Sequence, residues 1–154
     1  MSSLTITKNR LMPVKESAVS KVRELEAQVL KLPQVPIATE HTLHAGMYAR
    51  TIMLPAGCVL TSALIKIATI LIASGHFYVY VGEKPLEMKG YHVLAASAYR
   101  IGAWVAVEDT YFTMIFKTDA KTIAEAEEEF TDDAHKLFSR ASDAVNTVTI
   151  TGEM

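Results

Sequence analysis

Between Tyr48 and Phe116 the apolar residues follow a period of two, broken at short intervals by glycine and proline. This alternation restricts the chain to a β fold more tightly than any other feature. Met47 to Leu54 reads as one strand, closed by a turn at Pro55-Ala56-Gly57. Leu60 to Ala73 reads as one long or two short strands, ending in a turn at Ser74-Gly75. Phe77, Val79 and Val81 then alternate with His76, Tyr78 and Tyr80, and Gly82 to Pro85 turns again. Further short strands are expected at 87–89, 92–95, 104–107 and 111–116. Six or more strands with turns at such spacing predict an antiparallel sandwich or barrel. The 154 residues suffice for one domain with a real core.

Helical patterns flank the strands. In residues 15–32, Ala18, Val22, Leu25 and Val29 form one apolar stripe. Lys21, Arg23, Glu24 and Glu26 fill the other face, and Pro33 and Pro36 stop the helix. Residues 1–14 read as a flexible N-terminus. Later, Thr122-Ile123-Ala124-Glu125 has the form of a capping box. Ile123, Phe130, Ala134, Leu137, Phe138 and Ala141 make a second stripe. Residues 1–116 hold 11 Lys/Arg against 8 Asp/Glu, whereas 117–154 hold 4 against 9. The reading is therefore a body over 15–117, with the N-terminal helix and the barrel, then an acidic C-terminal helix over 118–141. Residues 142–154 alternate at Val148-Thr149-Ile150-Thr151 and form either an edge strand or a tail.

The net charge of −2 argues against a dedicated nucleic-acid binder. The most apolar stretch, Val59 to Ala73, has Lys66 at its centre and is shorter than the roughly 18–20 residues that span a bilayer. Residues 1–12 lack the apolar run of a secretory signal. A cytoplasmic protein with no membrane or nucleic-acid partner is expected. One cysteine, Cys58, excludes an intrachain disulfide and a multi-cysteine zinc site.

Tyr48-Ala49-Arg50-Thr51-Ile52-Met53-Leu54-Pro55-Ala56-Gly57, then Leu60-Thr61 and Ser74-Gly75, resemble the first half of a cupin β-barrel. Leu25-Glu26-Ala27, Leu32-Pro33-Gln34-Val35, Arg100, Gly102 and Glu108-Asp109-Thr110 resemble pieces of small cupin-like proteins common in bacteriophage genomes. The resemblance covers residues 24–130. It implies a mainly β fold, a cupin-type antiparallel barrel or jelly roll with an N-terminal and a C-terminal helix. It also implies where a metal would be held, near Ala63, Ile65, Ala68 and Thr69, with a further His between Gly90 and Trp104. Those four side chains lack the imidazole and carboxylate donors that such metals need, and His92 falls too early. No metal and no cofactor are expected.

Arg50, Lys66 and Arg100 are cations in apolar strand context. They face either an anionic ligand or a carboxylate such as Glu108 or Asp109. His76 and Tyr78 share a strand face with Tyr80, which lines a pocket or is the polar outer face. Glu40, His41 and His44 form a ligand-like cluster whose plainer reading is a pair of solvated loop histidines. Cys58 reads as structural, Trp104 and Phe112 as core, and 125–133 as a solvated helix face. With its expected metal ligands lost, the chain reads as a non-enzymatic phage protein that binds or sequesters a small anionic ligand, possibly of nucleotide type. The ligand-binding residues would be Arg50, Lys66, His76, Tyr78 and Arg100. The alternatives are a virion assembly protein and a residual metal enzyme using His41, His44 or His76. The N-terminal stripe, which needs a surface to pack on, predicts a homo-oligomer; a phage or host protein is the other possible partner.

Overall fold

The computed structural model describes residue 4 and residues 9–80 and 85–154. In chain order the elements are β1 (Arg10–Leu11), α1 (Glu16–Val29), β2 (Thr39–His44), β3 (Met47–Leu54), β4 (Val59–Thr61), β5 (Thr69–Tyr80), β6 (Pro85–Ala96), β7 (Ala103–Ala106), β8 (Thr110–Lys117), α2 (Ile123–Phe130) and β9 (Asn146–Ile150). Val81 and the turn expected at Gly82, apart from Pro85, lie outside the described residues, as does most of the expected flexible N-terminus. Among the described residues no helix is long and apolar enough to cross a membrane.

The described strands form one sheet in the order β1-β6-β5-β8-β3-β2-β9, with β7 joined to β5 and β4 joined to β7. β1 pairs with β6, and β9 with β2, in parallel; the other strand pairings are antiparallel. The mainly β, jelly-roll class expected from the sequence holds; among the described residues the sheet turns over without closing on itself. β5 makes the turn. Its residues Ile70 to Ser74 pair with β8, and Phe77 to Tyr80 pair with β7. Between them lies Gly75, at φ +149°, where an added Cβ would meet the Thr110 Cα at 2.9 Å. Ser74-Gly75 is thus a point of close backbone approach inside a strand, and the turn read there is a correction.

Other boundaries move for local reasons. β6 is unbroken where two short strands were expected, because it pairs with β5 along its whole length. β2 was not expected as a strand; it joins β3 through Ala45 and Gly46, at φ 54° and 70°, a two-residue hairpin. The C-terminal helix expected over 118–141 is only α2, followed by two short 3-10 turns at Ala134–Lys136 and Phe138–Arg140. Thr122 does cap α2, its hydroxyl accepting from the Glu125 amide. Beyond Phe130, Asp132 and Asp133 would sit at the negative end of the helix dipole, and Thr131 turns extended. The terminal alternation is an edge strand, β9.

Inward side chains of β3, β5, β7 and β8 make the main core, together with Ala126 and Phe130 of α2. Phe77, Trp104 and Phe112 meet one another there, with ring centroids 5.0–5.8 Å apart. α1 rests on a smaller cluster of Val14, Val19, Val22 and Ile101. Its buried line is Val19 and Val22, while Leu25 of the expected stripe is 40% exposed. The helix therefore finds its cover in its own chain.

Candidate ligand-binding site

The inner face of the turned sheet opens into a cavity of about 920 Å³. Its floor comes from Arg50, Ile52 and Leu54 of β3, Leu71 of β5 and Phe112 and Met114 of β8. These positions alternate along their strands, so each side chain points inward. The segments 57–65 and 100–104 form one wall, and Phe130, Leu137 and Phe138 another. The end of α1 and the loop after it form the mouth, with Leu30 and Leu32 exposed. Of the buried side chains that line the cavity, Arg50 and Arg100 are the polar ones.

The two arginines are held differently. Arg50 Nη1 donates to Glu127 Oε2 at 2.7 Å and to the Tyr48 hydroxyl at 3.3 Å, and Nη2 donates to Ser139 Oγ at 3.0 Å. Its guanidinium also lies 5.5 Å from the centroids of Phe130 and Phe138. Burial raises the Glu127 pKa, but hydrogen bonds from Ser139, Arg140 and Arg50 outweigh it and hold the carboxyl below its usual range. The partner of Arg50 is thus Glu127, where Glu108 or Asp109 was expected. Glu127 itself is 3% exposed, a correction to the solvated face read over 125–133.

Arg100 meets no carboxylate among the described residues. Nη1 donates to the carbonyls of Ser97 and Ile67 at 2.8 and 3.2 Å. Nη2 donates to Thr69 Oγ1 at 2.6 Å and approaches Met114 Sδ at 3.8 Å. All four acceptors are neutral, and Nε–H is the donor left over. Burial brings this guanidinium down from 12.5 to about 10, so it stays charged at neutral pH, on the order of 3 kcal/mol less well solvated than in water.

The other candidates lie outside the cavity. Lys66 pairs with Asp132 at 2.7 Å on the surface. His76 and Tyr78 are on the outward side of β5, where both reach Glu87 Oε2, at 2.8 and 3.0 Å. The His76 and Tyr78 bonds hold the Glu87 carboxyl below its usual range. The pocket reading of that face is thereby corrected to the outer-face one. His41 and His44 project to opposite sides of β2, one buried and one exposed, so they cannot share a metal and are not a solvated pair. His41 belongs to the network behind Arg50. Asn146 Nδ2 donates to the Ser139 carbonyl at 2.9 Å, which turns its Oδ1 toward His41 Nε2 at 2.6 Å. His41 Nε2–H therefore donates, and Nδ1 accepts from the Tyr48 hydroxyl at 2.6 Å. Burial pushes the His41 pKa below its ordinary value, which keeps the ring neutral. Glu127, Ser139, Arg140 and Asn146 were missed from sequence: Glu127, Ser139 and Asn146 lie 77, 89 and 105 positions from the Arg50 or His41 they meet, and Arg140 joins the network only through Glu127.

A divalent metal does not fit the place the resemblance implied. Thr69, the one oxygen donor there, accepts from the Arg100 cation. Among the described residues no group of three His, Cys, Asp or Glu side chains is placed to hold a metal.

No family model and no curated protein matches the sequence. Solved structures of similar shape include cupins. A cupin superfamily protein from Desulfitobacterium hafniense is 11% identical at a TM-score of 0.45, covering 59% of this chain and 87% of its own. An RmlC-like cupin family protein with a double-stranded β-helix fold, from Methanocaldococcus jannaschii, is 13% identical at 0.45, covering 53% and 80%. KdgF from Halomonas sp. is 16% identical at 0.46, covering 56% and 84%. The fold class is mainly β. Two helices complete it, one before the main strands and one after β8. Identities this low carry nothing of function.

Proposed function

We propose that this cupin-type chain is a binding protein for an apolar small molecule with one anionic head group, a carboxylate being the simplest. The observation that carries the reading is Arg100: a buried guanidinium on the cavity wall, hydrogen-bonded to neutral acceptors alone among the described residues. A buried cation without a counter-charge is costly, and an anion in the cavity would offset that cost through Nε–H. The rest of the buried lining is aliphatic and aromatic, which suits a hydrocarbon body. The volume is that of a typical small-molecule site. Arg50 helps shape the cavity, but its charge is met by Glu127, so the head group belongs at Arg100. The resemblance to phage proteins makes sequestration of a host metabolite the setting of this reading.

Trp104 is the one tryptophan of the chain and lines the cavity, so its fluorescence reports occupancy. Titration with dodecanoate should give a saturable change, at least about tenfold tighter than dodecan-1-ol, because a charge-assisted hydrogen bond is worth about 1.5–3 kcal/mol. Arg100→Gln should abolish the preference for the acid while leaving the alcohol bound. Equal binding of acid and alcohol to the wild type, or no saturable change with either, would overturn the reading.

A further inference from the structure

A guanidinium carries one hydrogen on Nε and two on each Nη, so the donors of Arg100 can be accounted for singly. Both Nη1 hydrogens are met, by the carbonyls of Ser97 and Ile67. One Nη2 hydrogen is met by Thr69 Oγ1 at 2.6 Å. The other has only Met114 Sδ at 3.8 Å, a thioether that accepts weakly. Nε–H has no acceptor among the described residues. Nε and Nη2 are neighbours on one edge of the planar group, so the two under-used donors lie side by side. Of the two residues at Nη2, Met114 lines the cavity and Thr69 does not. Register sets Met114 between Leu71 of β5 and Arg50 of β3. The Arg50 charge is answered by Glu127, so a ligand that reaches Met114 meets one unpaired cation, Arg100.

We propose that Met114 determines which head group the cavity takes: its thioether holds the place of one carboxylate oxygen, and the ligand is a monocarboxylic acid bound through both oxygens, to Nε–H and Nη2–H. The proposal rests on the reading of Arg100 as the anchor of an anionic head. The two oxygens of a carboxylate match the planar edge of a guanidinium, as a single oxygen does not. Its one charge also equals the one that Arg100 leaves unpaired. A phosphate monoester carries about two negative charges at pH 8, and the second would be buried without a partner. Methionine suits the place. It is unbranched and turns aside readily, and a weak acceptor gives way to a charged one at a gain. A side-chain oxygen there would satisfy Nη2 permanently and close the edge to the ligand.

Titrations of the full chain at pH 8, followed by Trp104 fluorescence, test this. The wild type should bind dodecanoate at least about tenfold more tightly than dodecyl phosphate. Met114→Leu conserves volume and brings no acceptor, so it should keep the preference for dodecanoate over dodecan-1-ol. Met114→Gln sets a carbonyl oxygen beside Nη2. It should bind dodecanoate at least about tenfold more weakly than the wild type, and dodecan-1-ol within about twofold of it. Far-ultraviolet circular dichroism confirms that each variant is folded. If Met114→Gln does not fold, Met114→Glu, whose carboxylate pairs with the guanidinium, should show the same loss. A wild type that binds acid and alcohol equally would overturn the reading of Arg100, and this proposal with it. Where the wild type prefers the acid, three results overturn the proposal alone: a folded Met114→Gln or Met114→Glu that keeps the preference, a folded Met114→Leu that loses it, or dodecyl phosphate bound as tightly as dodecanoate.

Discussion

Two buried arginines show how burial of the same group can lead to different chemistry. Arg50 sits in a closed network in which Glu127 accepts from Arg50, Ser139 and Arg140. Breaking such a pair by removing one partner is expensive, because the other charge stays buried. Glu127→Gln should therefore destabilise the fold by about 3–5 kcal/mol in urea titration. Adding Arg50→Met should recover most of that loss, since the stranded cation is gone. A loss under about 1 kcal/mol for Glu127→Gln, in the range of an exposed ion pair, would show that the pair does not hold the C-terminal segment to the sheet. Arg100 has no such carboxylate among the described residues and donates to neutral acceptors instead. Both arginines stood out in the sequence as charges in apolar context. Which one was already neutralised did not, because Glu127 lies 77 positions from Arg50.

At the level of elements, β5 determines the shape of the sheet, and Gly75 is where it changes neighbours. The backbone of Thr110 approaches so closely that any side chain at 75 collides with it, and the positive φ adds strain for an L residue. Gly75→Ala should cost on the order of 3 kcal/mol or more, read as a clear fall in melting temperature. A variant that melts with the wild type would show that β5 does not turn the sheet there. The sequence marks this glycine but not its meaning, since Ser-Gly reads equally as a turn between strands. β2 was hidden for a related reason. Its inward positions include Thr39 and His41, polar residues that interrupt the apolar alternation, and its hairpin uses Ala45-Gly46 where Asn-Gly is the stronger signal. β3 was legible because Tyr48, Arg50, Ile52 and Leu54 alternate inward and a Pro-Ala-Gly turn ends the run.

The whole molecule should lose stability toward acid in two stages. His41 has a folded pKa below 6.5, because burial disfavours its cation. The unfolded chain then takes up that proton first, so stability is full above about 6.5 and falls as pH drops through the lowered value. Glu127, held below 4.5 by its hydrogen bonds, adds a second loss as pH drops from about 4.5 through its own folded value. Urea midpoints measured from pH 8 to pH 4 should show the first decline, and His41→Gln should flatten it; a wild-type midpoint unchanged from pH 7 to pH 5 would contradict it. Both groups join the C-terminal segment to the sheet, a connection that composition suggested was an acidic appendage. The sequence by itself determined the β class, the two flanking helices and most strand positions. Side-chain period, caps and turns are local properties, carried by residues a few places apart. The tertiary structure alone decided that Arg50 meets Glu127, that Arg100 meets no acid among the described residues, and that His76 and Tyr78 face outward. Each of these depends on strand register and on contacts between distant segments, which the folded chain sets by burying its apolar faces together and which no local pattern records.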